Sequence, residues 1–271
     1  MPALRIYQDD SGEVGPDPAE APALAAAELL RTPSVRPRHR ELEPYSRAWF
    51  EEIELKRYAP PGGWLRRCLE FTRHSGESVL LVGPGVGSDA LQYHRHGADV
   101  TVCCGPFDRP AVVTRNFAVR GLACKVVGAA TPHLPFPTNR FDLGYLNLLA
   151  PPPDPSATVA ELYRVLKPGG KLFVLAPAHF DGTFWARLLP WRRWFGSRQA
   201  GEPERYSGRS LKRLVDPFSD NHIVKRHLRR GDLPYLLRPL PAVVLEPICG
   251  RVLVLRGFKP VSSALAVGPA A

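Results

Sequence analysis

Three alternating glycines are the residues whose type and spacing point most directly to chemistry. Gly83, Gly85 and Gly87 follow the short apolar run Ser78–Val82 in the sequence VLLVGPGVGSDAL. Glycine is needed where a backbone turns sharply or approaches a ligand closely. A helix that begins directly after such a turn directs its free N–H groups toward the same crevice. The spacing is GxGxG rather than the GxGxxG of dinucleotide folds. The turn alone therefore predicts either a ligand cradle or a tight strand–helix connection without a ligand.

Two further groups of side chains could bind a metal or carry redox chemistry. His94 and His96 stand two positions apart at the end of a predicted helix, where i, i+2 spacing directs the rings apart, so a solvent-facing or capping role is favoured over metal binding. Cys103 and Cys104 are adjacent in a predicted strand, which places their side chains on opposite faces and favours two small buried residues. No metal is predicted.

The segments around these residues alternate between strands and helices. Continuous apolar runs predict five strands, Ser78–Val82, Asp99–Cys104, Ala123–Val127, Phe141–Asn147 and Lys171–Ala176, and two late strands, Ile223–Leu228 and Arg251–Phe258. Apolar residues at helical spacing predict helices over Tyr45–Tyr58, Trp64–Phe71 and Arg109–Val119, a helix through His94, and one that Ser156 caps and Pro168-Gly169-Gly170 ends. Such alternation predicts a doubly wound parallel sheet whose ligand lies at the carboxyl ends of the strands.

Two longer blocks resemble one family of enzymes. LPFPTNRFDLGYLN, at Leu134–Asn147, and LYRVLKPGGKLFVLAP, at Leu162–Pro177, resemble the class I S-adenosylmethionine (SAM) methyltransferases, and most closely the type 11 branch that acts largely on small molecules. The resemblance runs from about Tyr45 to Pro260. It implies an α/β fold with a doubly wound, seven-stranded, mostly parallel, Rossmann-like sheet and an N-terminal helical extension.

The resemblance also implies positions for the cofactor and the substrate. On the cofactor side, the glycine turn would lie along the methionine and ribose of SAM, and the end of strand two would contact the ribose. The loop after strand three would face the adenine, and the end of strand four would lie between cofactor and substrate. These positions are Gly83, Pro84, Gly85, Gly87, Cys104, Gly105, Ala129, Ala130, Asn147 and Leu148. The substrate-side candidates are Tyr45, Trp49 and Trp185. No catalytic residue is assigned, because Ala150-Pro151-Pro152 follows strand four where relatives often carry a His-His pair.

The chain departs from the family pattern at three acidic cofactor positions. Leu81, Cys104 and Ala129 or Ala130 stand where relatives carry acids. A thiol accepts hydrogen bonds poorly, and losing a carboxylate contact to two hydroxyls weakens binding by about one to two orders of magnitude. We therefore expect weakened SAM binding, which the substitution Cys104→Asp would test. The function predicted first is methyl transfer to an unidentified small molecule. The alternative is a catalytically inactive methyltransferase-like protein that binds or scaffolds a partner.

The charge distribution and the cysteine content indicate the possible partners and the cellular location. The net charge of +10 arises from residues 183–259, which hold 16 Lys/Arg and 6 Asp/Glu, whereas the rest of the chain holds 20 of each. A basic surface of this kind suits an anionic partner or is simply a solvated face. Five cysteines without a CxxC pair, no signal pattern and no long apolar run predict a cytoplasmic protein.

One segment of the basic region is rich in both aromatic and Arg side chains. Residues 184–198 interleave aromatic and Arg side chains, which is typical of a helix packed on the core with snorkelling arginines, or of a lid that touches a membrane and admits a hydrophobic substrate. Nucleic acid is a weaker alternative.

The expected organisation is a flexible segment at 1–42, a methyltransferase-like domain at 43–260 and a tail at 261–271. The oligomeric state is not predicted.

Overall fold

The computed structural model describes residues 42–59, 63–106, 108–129, 133–149, 151–181, 204–228, 233 and 239–261. Within them, seven strands form one sheet. The strands are β1 (Ser78–Val82), β2 (Asp99–Cys104), β3 (Lys125–Gly128), β4 (Phe141–Asn147), β5 (Leu166–Pro177), β6 (Ser219–Arg226) and β7 (Val252–Phe258).

Short helices connect or precede the strands. They are α1 (Arg47–Tyr58), α2 (Trp64–Cys68), α3 (Ser88–Arg95), α4 (Pro110–Ala118), α5 (Pro155–Val165), α6 (Gly208–Leu214) and α7 (Ala242–Cys249), with a single 3₁₀ turn at Phe71–Arg73. The helices α1 and α2 precede β1 and form the predicted N-terminal helical extension.

The strand order is β3-β2-β1-β4-β5-β7-β6. The first five strands of this order are parallel, and β7 runs antiparallel to both β5 and β6. The chain moves outward from β1 through β2 to β3 and then crosses to β4 on the other side of β1. Because this crossing is a topological switch point, it opens a ligand crevice at the carboxyl ends of β1 and β4. The predicted doubly wound, seven-stranded, mostly parallel sheet is confirmed.

Apolar side chains on the two faces of the sheet build two core clusters. Leu81, Val102 and Cys104 belong to one cluster, and Leu80, Val82 and Cys103 belong to the other. The two adjacent cysteines thus lie on opposite faces, as strand alternation predicts. All five cysteines carry free thiols. None of the helices in the described residues is both long and apolar enough to cross a membrane.

Several predicted boundaries are wrong. Asp154, and not Ser156, caps α5, because its carboxylate accepts the backbone N–H of Ala157 at 2.9 Å and Pro155 takes the first helical position. β5 begins at Leu166, so Pro168-Gly169-Gly170 forms an irregular stretch inside the strand, between its pairing of Leu166 with Phe141 and of Lys171 with Leu143. β3 spans Lys125–Gly128 rather than 123–127, β6 spans Ser219–Arg226 rather than 223–228, and α2 ends at Cys68 rather than at Phe71.

Candidate functional site

The glycine turn lies between β1 and α3, as predicted. Gly83, Gly85 and Gly87 all have positive φ, at 73°, 56° and 81°. A Cβ added at Gly85 would meet no atom of the described residues within 4 Å, so the turn faces space that these residues leave open. A Cβ at Gly87 would lie 3.0 Å from Cγ1 of Val113, so this glycine lets α4 pack closely against the turn. Pro84 is buried between them.

A chain of hydrogen bonds links the glycine turn to α4 and α1. Asn116 is fully buried, and its Nδ2 donates to the backbone carbonyl of Val86 at 2.7 Å. Arg120 donates in turn to the side chain of Asn116 and to the carboxylate of Glu54 on α1. The turn is therefore held by a hydrogen bond from α4, and Arg120 links that side chain to α1.

A buried carboxylate next to the turn collects three donors. Asp89, in the first turn of α3, accepts from Arg57 at 2.8 and 2.6 Å, from the Tyr58 hydroxyl at 2.6 Å and from the Tyr145 hydroxyl at 2.7 Å. Burial alone would raise the pKa of Asp89, but the Arg57 charge and these hydrogen bonds hold it below its usual value. This network ties α1 and β4 to the start of the helix that follows the glycines.

Leu81 occupies the first of the three positions at which relatives carry an acid. Its side chain is fully buried, and the residue pairs with Val102 on β2 and with Tyr145 on β4. The hydroxyl of Tyr145, its strand partner, donates to Oδ2 of Asp89 at 2.7 Å. The structure places a carboxylate on α3 beside the site but leaves it fully engaged with protein donors.

The end of β2 carries the second departure. Cys104 is only 2% exposed, and burial raises the pKa of its thiol, so the side chain is a neutral core residue. Gly105 follows and donates its backbone N–H to Oδ2 of Asp108 at 2.8 Å. Burial raises the pKa of Asp108 to about 6. A carboxyl group that the pattern-based expectation lacked therefore stands one turn beyond the strand end.

The loop after β3 carries the third departure and is described only in part. The Ala129 N–H donates to the Cys104 carbonyl at 2.9 Å, which fixes this loop beside the end of β2. Ala130 lies outside the described residues. The one described side chain at this position is a methyl group, which can contact an aromatic ring but cannot accept a hydrogen bond.

The end of β4 brings Asn147 and Leu148 to the switch point. Oδ1 of Asn147 accepts the backbone N–H of Leu149 at 3.1 Å, so this amide shapes the turn that leaves the strand. The Leu148 side chain is fully buried in the core, and its N–H donates to the Leu175 carbonyl. Only Asn147 of this pair therefore presents a polar side chain near the crevice.

Two of the three substrate-side candidates lie together. Tyr45 and Trp49, at the start of α1, have ring centroids 5.1 Å apart. Nη1 of Arg109, which follows Asp108, reaches the Tyr45 hydroxyl at 3.5 Å. The start of α1 thus lies over the loop after β2, at the carboxyl edge of the sheet. Trp185 and the segment 184–198 lie outside the described residues.

Several observations test whether this site fits an adenosyl cofactor. The glycine turn faces open space at Gly85, and the Ser88 hydroxyl, buried at the start of α3, has no hydrogen-bond partner among the described residues. Asp108 adds an acceptor for hydroxyl groups. A buried hydroxyl without a partner, a backbone cradle and a carboxyl group suit a ligand that carries both polar groups and hydroxyls. The residues present fit the cofactor that the fold implies.

Sequence reasoning missed four polar residues of this site: Ser88, Asp89, Asp108 and Asn116. Ser88 and Asp89 follow the glycines directly, so position alone could have indicated them. Asp108 and Asn116 carried no usable signal, because their roles depend on a turn and on helix packing that spacing does not reveal. The pair His94 and His96 takes no part, since the His94 ring packs against Phe117. No group of three potential metal ligands occurs within the part of the chain that the structure describes.

These contacts change the expected result of restoring the strand-end acid. We expect Cys104→Asp to lower the free energy of unfolding by about 1–3 kcal/mol, because it buries a polar group without a donor and adds a second carboxyl group beside Asp108. SAM affinity should not rise. Urea unfolding and calorimetric titration would measure both effects, with Cys104→Ser as the control. A gain in affinity at unchanged stability would contradict this interpretation.

Comparisons with known proteins agree with the fold and the glycine turn. A family model described as a methyltransferase domain matches residues 80–174. Demethylmenaquinone methyltransferase of Thermus thermophilus is 32% identical over 120 residues, covering 41% of this chain and 53% of that protein. The protein of the same name from Symbiobacterium thermophilum is 29% identical over 218 residues, covering 68% of this chain and 83% of that protein. The chain thus spans about half the length of the Thermus relative.

Solved structures share the fold. The [4+2]-cyclase SpnF superposes with a TM-score of 0.54 at 19% identity, covering 90% of this chain and 93% of that one. At such low identity the likeness concerns the fold alone, which hosts more than one kind of chemistry. The family match, by contrast, includes the glycine turn and the Pro168-Gly169-Gly170 block. Residues 80–174 of this chain are therefore similar in sequence to a methyltransferase domain, and the sheet around them has the fold of the solved structures.

Proposed function

We propose that this protein is a SAM-dependent methyltransferase that methylates a small hydrophobic molecule. The observation that carries the proposal is the open glycine turn at the topological switch point, with the buried Ser88 hydroxyl and the Asp108 carboxyl group beside it. The Ser88 hydroxyl and the Asp108 carboxyl group leave hydrogen-bonding capacity that a ligand on the turn can use.

The hydrophobic substrate is supported by two features. Relatives carry the names of enzymes that methylate demethylmenaquinone, sterols and a phytyl hydroquinone. In this chain the start of α1 places the aromatic rings of Tyr45 and Trp49 near the carboxyl edge of the sheet. Aromatic rings offer large apolar surfaces for a ring-bearing or prenylated ligand. We therefore propose an aromatic or prenylated ring compound, such as a hydroquinone, as the substrate class.

The chain contributes orientation more than acid–base chemistry. When bound, SAM supplies a methyl group that its sulfonium already activates. The residues after β4, Ala150-Pro151-Pro152, offer no side-chain base. Proximity and alignment alone can supply several kcal/mol of the barrier reduction, roughly 7–11 in well-oriented model reactions. The buried network around Asp89 and the Asn116 contact keep the turn in one shape, and a preorganised turn suits that task.

Calorimetric titration with SAM and S-adenosylhomocysteine (SAH) tests the proposal. We expect both ligands to bind with a Kd on the order of micromolar, because the backbone cradle is complete. Labelled SAM with a panel of prenylated hydroquinones, phenols and sterols would then report methyl transfer. A folded protein that gives no heat at millimolar SAM or SAH would contradict the enzyme and leave a binding protein built on the same fold.

A further inference from the structure

We propose that Asp108 supplies the carboxylate that binds the ribose hydroxyls of the adenosyl ligand, in place of the last residue of β2. This inference rests on the proposed function and deepens it. In parallel nucleotide-binding sheets an acid near the end of the second strand binds the ribose. Here that strand ends at Cys104, whose buried neutral thiol cannot accept two hydroxyl hydrogen bonds.

The loop after β2 brings Asp108 back to the strand end. Val82, the last residue of β1, pairs with Cys103, so the glycine turn and the loop after β2 leave the sheet side by side. The Asp108 N–H donates to the Gly105 carbonyl at 3.1 Å, which closes a turn directly after the strand. A ligand that lies on the glycine turn and extends toward β2 therefore meets the turn at residues 105–108.

The Asp108 carboxyl group is oriented but only half used. Oδ2 accepts the Gly105 N–H at 2.8 Å, and a Cβ added at Gly105 would lie 3.6 Å from the same oxygen. Within the described residues, Oδ1 has no hydrogen-bond partner. Glycine at position 105 leaves room for the side chain to fold over the backbone. The free oxygen can accept one hydroxyl, and the remaining lone pair of Oδ2 can accept a second.

A purely structural role explains Asp108 poorly. The N-cap of α4 is Arg109, and no side chain caps this helix, so Asp108 does not satisfy its first N–H groups. Burial raises its pKa to about 6, and among the described residues no cation is a cause of the shift. A half-buried acid without a positive partner destabilises the folded chain unless a ligand uses it. Asp89 differs, since Arg57 and two tyrosines already occupy its oxygens.

The test compares Asp108→Asn with wild type in calorimetric titrations with SAH and with the SAH analogue that lacks both ribose hydroxyls. Asparagine keeps the acceptor for Gly105 but removes the charge. We expect wild type to prefer SAH over the analogue, and Asp108→Asn to lower SAH affinity about 10- to 100-fold with little effect on the analogue. Asp99→Asn is the matched control, because Asp99 lies at the opposite end of β2 and pairs with Lys125 at the surface.

A second measurement uses the wild-type protein alone. SAH affinity should fall as the pH drops below about 6 with the uptake of one proton, and Asp108→Asn should remove this dependence. The charged or titratable neighbours are the thiols of Cys103 and Cys104 on β2, which burial keeps neutral in this range, and the guanidinium of Arg109 next in sequence.

The outcomes separate the two proposals. A wild-type protein that binds SAH, with Asp108→Asn retaining both the affinity and the preference for ribose hydroxyls, would overturn the role of Asp108 and leave the methyltransferase intact. Loss of SAH binding in wild type itself would overturn both. A weakened variant that no longer distinguishes SAH from the analogue, with Asp99→Asn unchanged, would support the inference.

Discussion

Replacing Asp89 with alanine is expected to lower the free energy of unfolding by about 3–5 kcal/mol, the largest stability effect of any substitution proposed for this chain. The change removes the acceptor for Arg57 and for two tyrosine hydroxyls. The Arg57 side chain is 13% exposed, so its charge would remain largely buried without a counter-ion. Urea unfolding, followed by circular dichroism, measures the loss.

Breaking one side of such a network costs more than the network contributes as a whole. A buried ion pair gains little over an apolar pair of the same shape, but a buried charge left alone carries its full desolvation cost. Arg57→Met should therefore destabilise less than Asp89→Ala, because the remaining carboxylate keeps both tyrosine donors and can take up a proton. The ordering of these two variants separates the cost of an orphaned charge from a simple loss of packing.

An exposed ion pair on the same helix is the matched control. Arg47 and Glu51 lie on the solvent side of α1 with a nitrogen–oxygen distance of 2.8 Å, and Glu51→Ala should change stability by less than about 1 kcal/mol. Folding lowers the pKa of Asp89. The Asp89 carboxylate therefore stabilises the fold at pH values above the ordinary aspartate pKa of 3.8, and this stabilisation is lost as the pH falls below that value. A loss for Asp89→Ala as small as the control would contradict this account.

The sequence predicted the strands that form the centre of the sheet better than the polar residues around the ligand site. The bounds of β1, β2 and β4 match the apolar runs, because a strand buried on both faces is apolar at nearly every position. The bounds of β5 do not match, since Pro168-Gly169-Gly170 reads as a helix stop although the chain continues into the strand. Pairing with β4 and β7 overrides that local signal.

The candidate site shows the same division. The glycines could be found from spacing, because the turn is local. The Asp89 network joins residues 31 and 56 positions apart, and only the fold brings Tyr58 and Tyr145 to one carboxylate. Asp108 was missed for a different reason. The family pattern assigns the ribose-binding acid to the last residue of β2, whereas a turn after the strand can bring a later side chain close to that residue. A missing acid in a motif therefore does not establish a missing acid in the site.

Replacing Gly85 with alanine is expected to abolish measurable SAH binding or weaken it about 10- to 100-fold while leaving a folded protein. The new methyl group would enter the space that faces the turn, where no atom of the residues that the structure describes lies within 4 Å. Backbone strain at φ 56° should cost about 1–2 kcal/mol of stability. Calorimetric titration with SAH and thermal unfolding would measure the two effects.

Gly121→Ala provides the control for this strain. Gly121 follows α4 with φ 68°, and a Cβ there also meets no atom within 4 Å in the described part of the chain, so the two substitutions carry matched backbone costs. Equal losses of stability with only Gly85→Ala losing SAH would place the ligand on the turn. Equal SAH affinity in the two variants would mean that the ligand does not approach Gly85, and the glycines would then serve only the packing that Gly87 makes against Val113.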